Sequence, residues 1–308
     1  NEMFLNVVLV ILKNNLLDRF KQFIVDRQRN KRLRVQVSQY MKTVCAYLLK
    51  KEMYQLLFEF QNITQDYAAA GQTAIDMYGR TSDKAVQMRY LNLAKKHYSN
   101  AMDQYTKEGF AGDDTMSLSD VNQMLKSVQL QLQVENFYQK EKIRETPRGG
   151  LFQDNEKRAE IAIFLLANGG KHLAFNIIQE FQLPKADIYA KALNIVASKK
   201  QIKKINEILK AVSALLVDAE WDGVVMAVIK GLCDINESKT ADSQYVRKLR
   251  LQESRVTGLL MCKRFTTAYT MAAQLRSPDL IRKVKYEAQK YNQPRIIELA
   301  EKWLTTNM

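Results

Sequence analysis

Helix-breaking residues are scarce throughout this chain, and that scarcity limits the folds open to it. The 308 residues include only 11 glycines and 4 prolines. A sheet-rich protein needs many tight turns, which depend on these two residue types, so the shortage predicts helices joined by short links. The chain is also too long for one compact core of ordinary size. We therefore expect either two domains or one elongated array of stacked helices.

The spacing of apolar residues supports the helical prediction. Between residues 31 and 50, apolar side chains recur at intervals of three and four and so share one helix face: Val37, Tyr40, Met41, Val44, Tyr47 and Leu48. Further helices are predicted near 52–62, 64–79 (ending at Gly79) and 83–107. The run Phe4–Leu12 is interpreted as the first buried helix of a fragment, because it is too short to span a bilayer and lacks a basic leader.

A predicted helix at 117–142 shows both a start signal and a buried stripe. Ser117 with Asp120 three residues later is typical of a capping box. Six apolar residues are expected to pack against neighbouring helices: Val121, Met124, Leu125, Val128, Leu132 and Phe137.

The stretch RETPRGGLFQDN is the clearest break in the chain, because Pro147, Gly149 and Gly150 together end any helix. We place a boundary here, between an N-terminal helical subdomain at 1–145 and a C-terminal helical-hairpin solenoid at 155–308. Short helices are predicted beyond it, near 155–168, 171–182, 185–198, 201–217, 221–236, 243–262, 264–275, 278–290 and 294–305. Their short links require antiparallel neighbours. The predicted fold is all-α, an α-solenoid of antiparallel helix pairs resembling TPR or HEAT repeats.

Residues suited to catalysis or metal binding do not converge in this sequence. His97 lies in a run that reads as a polar helix face, and His172 follows two glycines that indicate a helix end, so neither has metal-ligand spacing. The three cysteines are far apart and are interpreted as buried small hydrophobic residues rather than metal or redox sites: Cys45, Cys233 and Cys262. We predict no catalytic residues, no cofactor and no metal.

Positive charge is the remaining functional signal. The net charge is +14, and much of it falls in three clusters. The candidate patch residues are Arg27, Arg29, Lys31, Arg32 and Arg34; Lys199, Lys200, Lys203 and Lys204; and Arg247, Lys248 and Arg250, with Arg255 close by. Such runs are often solvated faces, but they can also bind an acidic protein or an anionic membrane. Nucleic acid fits less well, because stacking aromatic residues do not alternate with the basic ones.

Several stretches resemble, in the same order, the C-terminal region of the spastizin family. They include LSDVNQMLKSVQLQLQVENF at 118–137, YQLLFEFQNITQDYAAAGQTAIDMY at 54–78, LAFNIIQEFQLPKADIYAKAL at 173–193, CKRFTTAYTMAAQ at 262–274 and WLTTN at 303–307. The resemblance extends from about residue 30 to the end. The FYVE zinc finger of that family needs more ligands than three cysteines and two histidines supply, so its phosphoinositide binding is not transferred to this chain.

The resemblance implies a non-enzymatic α-solenoid scaffold in a long cytoplasmic protein. It also implies partners, namely spatacsin and the fifth adaptor-protein complex. The expected location is the surface of late endosomes and lysosomes, with roles in trafficking, autophagic lysosome reformation and cytokinesis. The alternative is a basic helical module that binds anionic membrane or nucleic acid.

Overall fold

The structure is a computed structural model that describes residues 6, 8–10, 13–14, 16–28, 31–108, 116–143, 145–147 and 149–307, with the side chains of 17, 27–28, 31–40 and 108 not described. The chain divides into two compact units, Asn1–Asp154 and Asn155–Met308. Regular structure within the described ranges is helical, without a strand. The all-α prediction is therefore confirmed. The predicted helix at Phe4–Leu12 falls largely outside the described residues.

The N-terminal unit is a series of helices in which each packs on the next. The helices are α1 Leu17–Gln28, α2 Lys31–Lys50, α3 Tyr54–Ile63, α4 Tyr67–Arg80, α5 Lys84–Glu108 and α6 Leu118–Lys140. The predicted capping box is confirmed: the Asp120 backbone N–H donates to Ser117 Oγ at 3.1 Å, and the Ser117 N–H donates to the Asp120 carboxylate at 3.1 Å. Gly79 does not end its helix as predicted, because α4 continues to Arg80.

The C-terminal unit consists of paired helices. They are α7 Asn155–Asn168, α8 Lys171–Glu180, α9 Lys185–Ser198, α10 Ile202–Val212, α11 Asp218–Asp234, α12 Ser238–Gln244, a 3₁₀ turn at Val246–Lys248, α13 Gln252–Met261, α14 Phe265–Gln274, α15 Pro278–Lys290 and α16 Pro294–Asn307. Each helix packs on its hairpin partner. In addition, α7, α9, α11, α13 and α15 pack on one another in that order. This is the stacking expected when neighbouring pairs bury a continuous core.

The densest packing in this stack lies between α9 and α11. Ala192, Leu193 and Val196 of α9 and Val224, Val228 and Leu232 of α11 are completely buried. Gly231 brings the two helices close together, because a Cβ placed there would lie 2.8 Å from the Asn194 carbonyl oxygen. The small residue is thus required by the approach of two backbones.

Most links between helices contain a residue in the same left-handed backbone conformation. Among the described residues, most links contain a residue with positive φ, and nine of these residues are not glycine: Glu52, Gln65, Lys142, Gln182, Lys200, Asn236, Lys263, Arg276 and Asn292. The N–H groups at these positions and just after them donate to carbonyls of the preceding helix, as in Lys263 to Leu260 at 2.9 Å and Arg264 to Leu259 at 2.8 Å. This is the Schellman motif. It accounts for short links in a glycine-poor chain.

Gln182→Gly is expected to raise the free energy of unfolding of the C-terminal unit by about 0.5–1 kcal/mol. The left-handed conformation costs an L-residue about 1–2 kcal/mol, and the greater entropy of glycine in the unfolded chain offsets part of that gain. The Gln182 side chain is exposed and φ is 50°. Urea denaturation measures the change. Gln182→Ala keeps the left-handed cost and serves as the control, and equal stabilities of the two variants would contradict the argument.

The predicted helix at 243–262 is wrong. The structure has α12, the 3₁₀ turn, an extended segment at Leu249–Leu251 and α13 in its place. The physical reason is a side chain from another helix: the Asp222 carboxylate accepts hydrogen bonds from the N–H groups of Arg250 at 2.7 Å and Leu251 at 2.9 Å. These bonds satisfy donors that a continuous helix would have used internally.

Candidate functional site

The first predicted basic cluster lies outside the residues whose side chains the structure describes. Its members are Arg27, Arg29, Lys31, Arg32 and Arg34. The backbone of these residues falls at the end of α1 and the start of α2, except for Arg29, which is outside the described residues altogether. Their role as an anion patch stays a prediction.

The lysine cluster at 199–204 spans the link from α9 to α10, and two of its side chains hold neighbouring elements together. Lys200 forms an ion pair with Glu237, in the link between α11 and α12 of the next pair. The Lys204 ammonium donates to the Ala167 carbonyl at 3.0 Å, and its partial burial lowers its pKa. The remaining two side chains are exposed: Lys199 and Lys203.

The third cluster is largely used to fix the segment between the 3₁₀ turn and α13. The Arg250 guanidinium donates to the Ser213 carbonyl at 2.8 Å and pairs with the Asp218 carboxylate at 2.8 Å. The Lys248 ammonium donates to Asn206 Oδ1 at 2.8 Å. These side chains are predicted to form one patch, but most of their hydrogen bonds are to other groups of the protein.

Arg247 faces a different environment, a groove of about 580 Å³ formed by α12, the 3₁₀ turn, α13 and α14. The apolar side chains lining it are Val246, Leu259 and Met271, and the polar ones are Asp242, Ser243, Arg247, Arg255, Arg264 and Thr267. Residues from four consecutive elements therefore contribute to the groove.

Guanidinium groups dominate the charge of this groove. Arg264 Nε lies 3.3 Å from the Asp242 carboxylate, and Arg255 Nε donates to the Leu249 carbonyl at 2.8 Å. Both contacts hold their side chains in place while leaving further N–H donors available. Arg247 is exposed, and no carboxylate of the described residues forms an ion pair with it. With one carboxylate against three guanidinium groups, the groove suits an anionic group above an apolar floor.

The two histidines differ in environment, and the prediction for His97 was wrong. Rather than lying on a polar face, His97 is 5% exposed and packs between Phe58 of α3, at 5.1 Å between ring centroids, and Tyr67 of α4, at 6.0 Å. This burial lowers its pKa. His172 is exposed, and Gly169 (φ +97°) ends α7 beside it, as predicted.

The N-terminal unit contains a buried polar network that the sequence did not indicate. The Tyr78 hydroxyl donates to Glu135 Oε1 at 2.8 Å, and the Gln131 amide donates to the same oxygen at 3.1 Å. Lys84 pairs with Glu135 Oε2 at 3.2 Å, and the Leu151 N–H donates to Gln131 at 2.9 Å. Burial raises the pKa of the Tyr78 hydroxyl. These groups satisfy one another's hydrogen bonds, and the bond from the Leu151 N–H holds the segment after α6 against the helices.

The part of the chain that the structure describes holds no group of three or more histidine, cysteine or carboxylate side chains able to bind a metal. Within the same residues, no helix is long and apolar enough to cross a bilayer.

Comparison with known proteins gives one family match. Residues 184–305 match the family described as ZFYVE26-like, TPR repeats. That match and the paired helices of the C-terminal unit confirm the predicted α-solenoid. Repeats of this kind present surfaces to other proteins.

Relatives extend the similarity to most of the chain. A Dictyostelium discoideum protein is 28% identical over 84% of this chain and 10% of its own length. Zinc finger FYVE domain-containing protein 26 (spastizin) of Bos taurus and of Homo sapiens is 22% identical over 87% of this chain and 12% of its own length. The chain thus spans about a tenth of the length of these relatives. The resemblance predicted from the sequence is confirmed: the chain is similar to the spastizin family over most of its length, and residues 184–305 match the TPR repeats of that family.

Proposed function

We propose that this chain is a non-enzymatic scaffold whose C-terminal unit binds an acidic segment of a partner protein in the groove formed by α12–α14. One observation carries the proposal: Arg247, Arg255 and Arg264 converge on an apolar floor, opposed by Asp242 alone. An acidic side chain of the partner gains charge-assisted hydrogen bonds from guanidinium donors. An adjacent apolar side chain covers Leu259 and Met271.

The partners in this proposal are spatacsin and the fifth adaptor-protein complex. The similarity to spastizin supports this choice, as does the family match to TPR repeats. The setting is then the cytoplasmic surface of late endosomes and lysosomes, with a second location at the midbody or centrosome. The processes served are membrane trafficking, autophagic lysosome reformation and cytokinesis.

Arg247→Glu is expected to weaken partner binding about tenfold or more, because it places a like charge opposite the acidic segment. Isothermal titration of the chain with overlapping fragments of spatacsin measures the dissociation constant. Arg295→Glu is the matched control: this arginine is exposed on α16 and does not line the groove. This control changes the net charge by the same amount as Arg247→Glu. We expect its affinity for the partner to stay within about twofold of that of the unsubstituted chain.

Two results would contradict the proposal. Equal weakening by Arg247→Glu and Arg295→Glu would mean that net charge, not the groove, drives association. If no fragment of spatacsin or of the adaptor complex binds the chain, these proteins are excluded as its partners. A salt series with anionic liposomes and with RNA tests the alternative function, because binding driven by counterion release falls steeply with salt concentration.

A further inference from the structure

Two of the three cysteines, distant in sequence, meet in the C-terminal unit. Cys233 lies in the last turn of α11, and Cys262 caps the C-terminus of α13. Because α11 and α13 pack together as the first helices of successive pairs, the two Sγ atoms come within 4.0 Å. One thiol can donate a hydrogen bond to the other at this distance.

The two thiols have unequal environments. Cys262 is 5% exposed, whereas Cys233 is half-buried. The hydrogen bond between them lowers the pKa of Cys233, and the Ser238 hydroxyl and the Lys263 ammonium add to that effect against burial and the Asp234 charge. The same hydrogen bond, together with burial, raises the pKa of Cys262. The thiolate is the reactive form of cysteine, so Cys233 reacts first.

We propose that Cys233 and Cys262 form a reversible disulfide when the protein meets a peroxide. A disulfide has its sulfurs about 2 Å apart. The two sulfur atoms, 4.0 Å apart, thus need to approach each other by about 2 Å. Cys233 and Cys262 lie on neighbouring helices of the same chain, so the disulfide does not require a second chain.

The reaction balances with hydrogen peroxide as the only oxidant. The Cys233 thiolate attacks one peroxide oxygen, the O–O bond breaks, and the hydroxide released takes up a proton to become water. This leaves Cys233 as a sulfenic acid. The Cys262 sulfur then attacks the Cys233 sulfur and loses its proton to the departing hydroxide. Two thiols and one peroxide thus give one disulfide and two waters, and a dithiol reductant reverses the reaction.

The disulfide would join the C-terminal ends of two stacked helices, 29 residues apart in the chain. Closing a loop of that size restrains the unfolded chain. Oxidation is expected to raise the melting temperature of the C-terminal unit by roughly 5–10 °C. Trp221 and Trp303 both lie in this unit, so tryptophan fluorescence reports on it.

The test exposes the full chain to equimolar hydrogen peroxide, alkylates the remaining thiols and identifies cysteine peptides by mass spectrometry. Cys45 is an internal control, because it is half-buried like Cys233 while burial raises its pKa to about 12. We expect a Cys233–Cys262 cross-linked peptide, alkylated Cys45 and reversal by dithiothreitol.

Two variants separate the steps. Cys262→Ser should leave Cys233 as a sulfenic acid that a dimedone probe labels, and Cys233→Ser should leave Cys262 unoxidised. The proposal is overturned if Cys45 oxidises as fast as Cys233, or if the only disulfides found join two chains. Neither outcome involves a binding partner, so this test is independent of the proposed function.

Discussion

Gly231→Ala should lower the free energy of unfolding of the C-terminal unit by about 1–3 kcal/mol, the usual cost of overpacking a core. The added Cβ would lie 2.8 Å from the Asn194 carbonyl oxygen and 2.9 Å from Ala197 Cβ. A backbone oxygen cannot rotate away as a side chain does, so α9 and α11 must separate. The expected loss opposes the helix propensity of alanine, which exceeds that of glycine.

Gly223→Ala is the matched control for this prediction. Gly223 lies in the same helix, α11, and a Cβ there would meet nothing within 4 Å. It should raise the free energy of unfolding by about 0.5–1 kcal/mol through propensity alone. Urea denaturation followed by tryptophan fluorescence measures both variants. If the two substitutions stabilise the unit equally, the close approach of α9 and α11 is not real.

Asp222→Ala is expected to lower the free energy of unfolding of the C-terminal unit by about 3 kcal/mol or more. Asp222 is 2% exposed and accepts the Arg250 N–H at 2.7 Å and the Leu251 N–H at 2.9 Å. Hydrogen bonds to a charged group contribute about 1.5–3 kcal/mol each. Without the carboxylate, both N–H donors before α13 lose their acceptor.

Two further variants define the role of the Asp222 carboxylate. Asp222→Asn keeps one acceptor oxygen and should lower the free energy of unfolding by about half as much as Asp222→Ala. Asp218→Ala removes an exposed carboxylate that pairs with Arg250 at 2.8 Å. Exposed pairs contribute about 1 kcal/mol at most, so a small change is expected. Equal losses at positions 218 and 222 would refute the argument from burial.

Local signals predicted the helices well, because helix type and ends depend on nearby residues. The helices at 155–168, 185–198 and 278–290 begin and end where their apolar spacing, capping residues and prolines indicated. The helix predicted at 243–262 failed for a nonlocal reason. Its apolar spacing is continuous, and the Asp222 side chain from another helix stabilises the break.

The candidate groove was only partly predictable. Arg247 stood out in a basic run, but its separation from Lys248 and Arg250 depends on the 3₁₀ turn. Arg264 gave no signal, because it reaches the groove from the link before α14. The contact between Cys233 and Cys262 was likewise hidden, since only the stacking of α11 on α13 brings the sulfurs together.

The left-handed residues in the links also influence where charge can vary. Because consecutive helices of the C-terminal unit are antiparallel, the links after α9, α11, α13 and α15 lie along the same edge of that unit. Their left-handed residues are Lys200, Asn236, Lys263 and Asn292. The motif requires a backbone conformation rather than a particular side chain. Successive positions along such an edge can therefore exchange positive, neutral and amide groups with little penalty. Substitutions at these positions can therefore change the electrostatic potential along this edge while the hydrophobic core stays unchanged.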